Sequence, residues 1–140
     1  IFQYMTGAKI VAANILQGPR HPDLGIAMDQ SIQMKTDKGQ ILTLALSFNN
    51  DGPLGTFFRY IGDTATYIAR YDDLVDGREE AIDLSVVDVP SNNGIELQDR
   101  EFIAAIREGR EPNSSVHSVI ECYRTIGKLA KSLEEQDGWS

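Results

Sequence analysis

The chain has 140 residues, 41% hydrophobic and 24% charged, which is enough to bury a core and is ordinary for a soluble globular protein. Its formal net charge of -8 disfavours nucleic acid as a partner, because a field of that sign repels the phosphate backbone. The longest apolar run, Phe102 to Ile106, is far too short to span a membrane, and a single cysteine, Cys122, excludes an internal disulfide and suits the cytoplasm.

The first seven residues are typical of the last turns of a helix closed by a glycine C-cap, Gly7. A domain that opens inside a helix is expected to continue a longer polypeptide. We therefore expect residues 1–7 to end a helix of a preceding domain. Residues 8–136 are then one C-terminal domain, and residues 137–140 are a frayed tail.

The clearest element is a β-hairpin with its turn at Asp37-Lys38-Gly39. Residues alternate between apolar and polar on both sides of this turn, over about 28–35 and 42–48. A strand over Lys9–Gln17 precedes it, followed by a loop bounded by proline and glycine. Two further strands are predicted at about Thr56–Ile61 and Ala65–Tyr71.

The segment from Asp72 to Asp88 holds seven acids and one arginine, Arg78. It is compatible with an edge strand or with a loop. The acids are irregularly spaced and lack the glycine placement of a calcium loop, which favours a solvated face over a metal site.

The last third changes to helical periodicity. Asn93 can start a helix that carries an apolar stripe and ends at Gly109, and Asn113 or Ser114 can cap a longer one. These elements predict an α+β domain with an open-faced, mostly antiparallel sheet and helices on one face. The stripe of the first helix is Phe102, Ile103 and Ile106, and the predicted buried face of the second is Val116, Val119, Ile120, Tyr123, Ile126, Ala130 and Leu133.

No Gly-x-Gly-x-x-Gly, Walker or Gly-x-Ser-x-Gly motif occurs in the chain, so we assign it no catalytic, cofactor-binding or metal-binding residue. His117 lies four residues before Glu121, a spacing more typical of a surface pair than of a site. Cys122 falls beside the apolar stripe, where an inert buried thiol is the better interpretation.

Three polar clusters remain as candidates for binding. Prolines flank Arg20-His21 and can aim both side chains, although incidental loop residues explain them too. Asn49 and Asn50 belong to a stretch that turn chemistry alone explains. Arg59 and Arg70 each stand among aromatic residues. Either arginine can bind a planar carboxylate, and either can pair with nearby acids instead.

Two parts of the chain resemble the glucose–fructose oxidoreductase/inositol dehydrogenase family. The first is the charged helix and turn that end in Ile-Arg-Glu-Gly-Arg-Glu-Pro, before a final long helix. The second lies upstream and resembles a branch of the family that acts in bacterial protocatechuate catabolism. The stretches that carry the resemblance are Gly94–Pro112, Gln17–Pro19, His21-Pro22, Leu24–Asp29, Ser47–Ile61 and Ile68–Val75.

This resemblance implies an N-terminal Rossmann domain, absent from the chain, that holds NADP (or NAD) and the catalytic residues. The present domain would border the active site and form a homodimer through its open sheet face. In that branch, the substrate is the cyclic hemiacetal of a carboxylated muconate semialdehyde, which is oxidised to a pyrone dicarboxylate. A polycarboxylate substrate needs cationic anchors, so the resemblance points to Arg20, His21 and Arg59, with Asn49 and Asn50 as hydrogen-bond donors.

Two other functions stay open at this point. A family dehydrogenase acting on a sugar or inositol would share the same domain. A non-catalytic binding or dimerisation module would use the sheet face as its contact surface and would need no Rossmann domain.

Overall fold

The computed structural model describes residues 1–52, 55–70, 73–88, 90–91 and 93–136, without the side chain of Gln136. The chain folds as two compact units: unit 1 comprises residues 1–50 and the segment from Glu111 onward, and unit 2 comprises residues 51–110. Unit 1 contains α1 (Phe2–Thr6), β1 (Ile10–Gln17), β2 (Asp29–Thr36), β3 (Ile41–Ser47) and α3 (Val116–Gln136). Unit 2 contains β4 (Phe58–Ile61), β5 (Thr66–Ala69), β6 (Leu74–Asp76), a 3-10 turn (Leu84–Val86) and α2 (Gly94–Glu108).

The predicted α+β class is confirmed: helices accompany antiparallel sheets that do not close. The described strands form two three-stranded sheets, in the orders β1-β2-β3 and β4-β5-β6, where the sequence predicted a single sheet. Within the described residues, each helix is too short or too polar to cross a bilayer.

The predicted hairpin is present, with β2 and β3 paired across the turn. The Thr36 amide donates to the Gln40 carbonyl at 2.9 Å, and Gly39 takes a φ of 91°, which glycine adopts without strain. Thr36 is only 1% exposed, because its hydroxyl lies inside this turn and accepts a hydrogen bond from the Gln40 amide. The turn fixes the register and sets Asp29 opposite Ser47 at the far end of the strands.

The core of unit 1 lies between the sheet and α3. Ile15 and Ile32 are directly opposed on β1 and β2, and Leu129 of α3 packs on them. All three are at most 8% exposed, and Met34, Leu44 and Leu133 pack around them. The prediction that helices cover one sheet face therefore holds for α3 in this unit.

The predicted buried face of α3 is mostly wrong. Leu129, which the prediction omitted, is the buried apolar residue, and Val119 and Leu133 are half-buried. The helix carries two apolar stripes, and the stripe that meets the sheet includes small polar residues such as Thr125 and Ser132. The predicted residues that lie exposed are Val116, Ile120, Tyr123, Ile126 and Ala130.

Polar contacts are made at the start of α3 and at Cys122 within the helix. The cap is Ser115 rather than Asn113 or Ser114: the Ser115 hydroxyl accepts from the Ser118 amide at 3.2 Å. Cys122 is exposed, contrary to the predicted buried thiol, and its Sγ lies 3.1 Å from Oε1 of Gln3 in α1.

α1 ends as predicted, at Gly7 in the left-handed conformation with φ 56°. The β2–β3 turn holds this end: Lys38 Nζ donates to the Thr6 and Gly7 carbonyls at 3.4 and 3.1 Å. A cation is favourable there because the last carbonyls of a helix carry partial negative charge. The Lys9 amide also donates to the Asp37 carboxylate at 3.1 Å, so the helix end and the turn are joined on both sides.

The sheet of unit 2 has two unlike faces. Ile68 and Val75 lie opposite each other and are buried, on the face that also carries Arg59. The other face carries Phe58, Tyr60 and Tyr67, all more than 40% exposed. Tyr60 and Tyr67 form a tilted ring pair with centroids 6.5 Å apart.

The acidic segment was predicted to be an edge strand or a loop, and it contains the edge strand β6. Two of its described acids, Asp76 and Asp83, accept backbone hydrogen bonds in turns. The Asp76 carboxylate accepts from the Arg78 and Glu80 amides at 2.8 and 2.9 Å. The Asp83 carboxylate accepts from the Ser85 amide and caps the 3-10 turn, and hydrogen bonding to Ser85 lowers the pKa of Asp83. The predicted reach of β5 to Tyr71, Asp72 at the start of the segment and the tail 137–140 lie outside the described residues.

α2 begins and ends as predicted. The Asn93 side chain accepts from the Ile95 and Glu96 amides, and Gly109 closes the helix with φ 64°. Beyond the cap, Arg110 binds Glu101 through two guanidinium nitrogens, at 2.7 and 2.9 Å. The predicted stripe of Phe102, Ile103 and Ile106 lies on the exposed side, while Ala105 is 2% exposed.

Leu129→Ala should lower the free energy of unfolding by about 2–4 kcal/mol, because it removes a buried side chain from the centre of the core. Ile126→Ala on the same helix is the matched control: Ile126 is 60% exposed, and its loss should cost less than about 0.5 kcal/mol. Urea unfolding of the three proteins measures both values. Equal losses for the two variants would contradict the packing of α3 described above.

A second prediction concerns His117, which pairs with Glu111 rather than with the predicted Glu121. Hydrogen bonding to Glu111 raises the pKa of His117, and hydrogen bonding to His117 lowers the pKa of Glu111. The pair therefore stabilises the fold only between these two values: its contribution is lost as pH rises through the His117 pKa and as pH falls through the Glu111 pKa. Both side chains are exposed, so the contribution is small.

In an NMR titration, Glu111→Gln should lower the His117 pKa towards its ordinary value, about 6.5. The stability difference between wild type and variant should be largest between the ordinary pKa values of the two groups, 4.5 for Glu and 6.5 for His, and should shrink as pH rises through the raised His117 pKa. An unchanged His117 pKa in the variant would show that the pair does not form.

Candidate functional site

Four of the five predicted site residues lie at one edge of the unit 1 sheet. β1 ends at this edge, β2 begins there and β3 ends there, because the three strands are antiparallel. The loop after β1 carries Arg20 and His21, and the segment after β3 carries Asn49 and Asn50. We call these four residues and their segments the β1–β3 edge.

The loop after β1 is held by its own backbone. Arg20 and Ala27 form an antiparallel bridge, and the His21 amide donates to the Ile26 carbonyl at 2.8 Å. The Gly25 amide donates to the His21 carbonyl at 2.8 Å, and Gly25 takes a φ of 67°, which a residue with a Cβ rarely adopts. These backbone hydrogen bonds define the conformation of the loop. The flanking prolines alone did not predict it.

Arg20 takes part in this loop structure. Its Nη1 donates to the Gly25 carbonyl at 3.0 Å, so part of the guanidinium is used within the loop. The side chain is exposed, which leaves it in contact with solvent at the sheet edge. Its predicted role as an anchor for an anion stays a prediction.

His21 is oriented by a backbone hydrogen bond. The Asp23 amide donates to His21 Nδ1 at 3.2 Å, so Nδ1 acts as the acceptor. A neutral imidazole that accepts at Nδ1 carries its proton on Nε2. The ring therefore presents an N–H donor at Nε2, the type of group that binds a carboxylate oxygen.

The segment after β3 adjoins a polar pair that the sequence analysis did not identify. The Ser47 hydroxyl donates to the Asp29 carboxylate at 2.6 Å, and the Asn49 amide donates to the Ser47 hydroxyl at 3.3 Å. The hairpin register was the available signal, since the predicted turn sets Asp29 opposite Ser47. This carboxylate is an acid that any anion bound at the β1–β3 edge would have to avoid.

Arg59 lies in unit 2, on β4, opposite Ile68. Its side chain is exposed, and within the described residues it makes no hydrogen bond or ion pair. Arg70 behaves differently: it forms a half-exposed ion pair with Asp73 at 3.5 Å, which is the alternative that the sequence left open. Of the two arginines, Arg59 is the one with all its donors available.

The described residues were compared with the usual features of a dinucleotide site and of a metal site. Each pair of consecutive strands within the two sheets is antiparallel, so the described part contains no strand-helix-strand unit with parallel strands. No group of three His, Cys, Asp or Glu side chains in the described ranges could hold a metal ion. What the chain can contribute is polar and cationic contacts to a small molecule.

Comparison with known proteins gives the family. A family model described as bacterial oxidoreductases, C-terminal, matches residues 1–88. The chain belongs to this family. The residues that match the family model include the whole β1–β3 edge and Arg59. All five candidate site residues therefore lie within the matched region.

The chain is also similar to two individual proteins, one by sequence and one by fold. The chain is 70% identical over 136 residues to 4-carboxy-2-hydroxymuconate-6-semialdehyde dehydrogenase of Sphingobium sp. (strain NBRC 103272 / SYK-6), a match covering 97% of the chain and 42% of that protein. Its fold matches aldose-aldose oxidoreductase from Caulobacter crescentus with a TM-score of 0.63, over 96% of the chain and 42% of that protein, at 16% identity. The chain thus spans less than half the length of both proteins.

The two histidines provide a test of the site geometry, because they should hold opposite neutral tautomers. His21 accepts at Nδ1 and should carry its proton on Nε2, whereas His117 donates from Nδ1 to the Glu111 carboxylate. Two-bond proton–nitrogen NMR spectra recorded at alkaline pH distinguish the two neutral tautomers. The same tautomer at both positions would contradict the hydrogen bond that orients His21.

Proposed function

We propose that this chain is the C-terminal, substrate-side domain of an NADP-dependent (or NAD-dependent) dehydrogenase. The parent enzyme oxidises the cyclic hemiacetal of 4-carboxy-2-hydroxymuconate-6-semialdehyde to 2-pyrone-4,6-dicarboxylate in cytoplasmic protocatechuate catabolism. The observation that carries the proposal is the 70% identity over 136 residues to the Sphingobium dehydrogenase. The resemblance of the chain to oxidoreductases of sugars and inositol supports the general reaction type, but not this particular substrate.

The proposal divides the work between two parts of the parent enzyme. The oxidation removes a hydride and a proton from the hemiacetal, and we assign both transfers to a cofactor-binding domain outside this chain. The share of the Sphingobium protein that the chain leaves unmatched, more than half, supports a separate cofactor-binding domain. We accordingly expect the isolated chain to be inactive.

The contribution of this chain is to bind the carboxylates of the substrate. A net charge of -8 repels a polycarboxylate at long range, so the anchors must act locally. The Arg59 side chain is exposed and makes no hydrogen bond or ion pair within the described residues, which leaves its planar fork of donors for a carboxylate. At the β1–β3 edge, Arg20 and the Nε2–H of His21 supply further donors, and the Asn49 and Asn50 side chains complete the proposed set.

We also propose a homodimer for the parent enzyme, through the aromatic face of the β4–β6 sheet. The open face of the β1–β3 sheet is mostly polar, with residues such as Asn14, Gln33 and Thr43, and gives little hydrophobic reason to associate. Phe58, Tyr60 and Tyr67 supply an exposed aromatic surface in unit 2 instead. Aromatic side chains are enriched where proteins associate.

The function is tested with the full-length parent enzyme, purified after expression of the complete reading frame. Formation of NADPH is followed with the semialdehyde, and in parallel with a panel of aldoses and inositol. The proposal expects the semialdehyde to give the highest kcat/KM. A higher value for a sugar would assign the sugar-dehydrogenase alternative, and no turnover of any substrate would favour a non-catalytic module.

The anchors are tested by Arg59→Gln and Arg20→Gln in the same enzyme. Loss of a charge-assisted contact to a carboxylate costs about 1.5–3 kcal/mol, which lowers kcat/KM about 10- to 150-fold. Arg124→Gln is the matched control, since Arg124 pairs with Glu121 on the exposed side of α3. Unchanged kcat/KM in both anchor variants would remove Arg59 and Arg20 from the substrate site.

A further inference from the structure

Asp29 is an acid at a place where the proposed function needs cations. It is the first residue of β2 and lies at the β1–β3 edge, among the residues proposed to bind the carboxylates of the substrate. An acid in this position opposes the binding of an anion by charge repulsion. A structural role that favours binding would explain why a carboxylate stands there.

The Asp29 carboxylate makes a short hydrogen bond to the neighbouring strand. The Ser47 hydroxyl donates to its Oδ1 at 2.6 Å, the usual length for a hydroxyl bound to an ionised carboxylate. Such a bond is stronger than one between neutral groups, and here the carboxylate is half-buried. Ser47 is the last residue of β3 and stands opposite Asp29, so the bond joins the start of β2 to the end of β3.

Ser47 extends this connection to the segment after β3. Among the described residues, the last backbone hydrogen bond between the two segments runs from the Phe48 amide to the Met28 carbonyl, so Asn49 is the first residue beyond the paired strands. The Asn49 amide donates instead to the Ser47 hydroxyl at 3.3 Å. A hydroxyl that gives its proton to a carboxylate keeps its lone pairs for such an amide. Asp29 thus orients the Ser47 hydroxyl, and Ser47 orients the chain where it leaves the sheet.

Asp29 also contacts the segment after β1. Its carbonyl accepts a hydrogen bond from the Gly18 amide at 2.9 Å. Its side chain lies against this glycine, because a Cβ at position 18 would come within 3.2 Å of the Asp29 Cβ and 3.4 Å of Oδ2. The loop that begins at Gly18 carries Arg20 and His21. Asp29 therefore contacts both of the segments that hold candidate site residues at the β1–β3 edge.

We infer that Asp29 is a positioning residue of the β1–β3 edge, which acts through Ser47 on Asn49. This inference rests on the proposed function, in which the Asn49 side chain donates to a carboxylate of the substrate. Asp29 acts on the substrate only through the segment that it holds. Repulsion between charges that face water is screened by salt, whereas a misplaced donor loses its hydrogen bond, so the positioning effect exceeds the repulsion.

The first experiment measures kcat and KM of the full-length parent enzyme with the semialdehyde. Ser47→Ala keeps the charge of Asp29 and removes only the connection to Asn49. KM should rise about 2- to 10-fold, as for the loss of one neutral hydrogen bond, with kcat unchanged. Ser47→Thr keeps the hydroxyl and should have the wild-type KM. Ser85→Ala is the matched control and should not change KM, since Ser85 also bonds to an aspartate, Asp83, but in the 3-10 turn of unit 2.

Two substitutions of Asp29 separate its hydrogen bond from its charge. Asp29→Ala removes both, and KM should rise as it does in Ser47→Ala. Asp29→Asn removes the charge but keeps an oxygen that accepts from Ser47, so KM should not rise. A lower KM for Asp29→Ala than for the wild type would show that Asp29 acts through repulsion of the anion, which would overturn the inference.

A double-mutant cycle tests whether Ser47 acts through Asn49. Asn49→Ala removes the proposed donor, so Ser47→Ala should raise KM much less in this background than in the wild type. Fold-changes that multiply would contradict the connection. A measurement without substrate is the solvent exchange of the Asn49 amide by NMR in the 140-residue chain. The exchange should accelerate in Ser47→Ala but not in Ser47→Thr, and an unchanged rate in Ser47→Ala would overturn the inference.

The outcomes separate this inference from the proposed function. A parent enzyme that oxidises the semialdehyde, with the same KM in Ser47→Ala and Asp29→Ala as in the wild type, would disprove only the positioning role. A loss of kcat in Ser47→Thr as well as in Ser47→Ala, together with a lower free energy of unfolding, would assign Ser47 to stability and also overturn the inference. A wild-type parent that does not oxidise the semialdehyde would disprove the proposed function and, with it, the role of Asp29 in that reaction.

Discussion

The contact between Leu129 of α3 and the opposed pair Ile15 and Ile32 is the interaction on which unit 1 depends. It joins the end of the chain to its first strands, which are more than ninety residues away in sequence. Everything at the β1–β3 edge is positioned by strands that this contact holds together. Losing it would free α3 and uncover the face of the sheet that carries the core.

The same helix leaves much of its apolar surface uncovered in this chain. Its packed side is modest, with one fully buried apolar residue, whereas larger side chains such as Tyr123 remain outside. The apolar residues of α3 are therefore divided between a few that pack on the sheet and a larger number that do not. The stability of the isolated chain therefore rests on a small core, and the association of domains is expected to add to it.

Local patterns in the sequence predicted the hairpin, both glycine C-caps and the Asn93 cap, because each depends on residues close to one another. They did not predict which stripe of α3 faces the sheet, since helical periodicity identifies apolar sides but not their partners. The Ser47–Asp29 pair needed the register of two strands, and the orientation of His21 needed a backbone amide that no side-chain pattern reveals. The site residues, Arg59 among them, came from family resemblance, and the ion pair of Arg70 with Asp73 is one of the two interactions that the sequence had left open for Arg70.

The fastening of α1 to the β2–β3 turn has a mechanical consequence. β2 runs from that turn to Asp29, a span of roughly 25 Å for its eight residues. Lys38 and Asp37 tie the helix end to the turn, so a rigid tilt of α1 together with the hairpin would also move the far end of the strands. A tilt of only a few degrees would move the far edge by about 1 Å, a displacement large enough to change the positioning of a bound substrate.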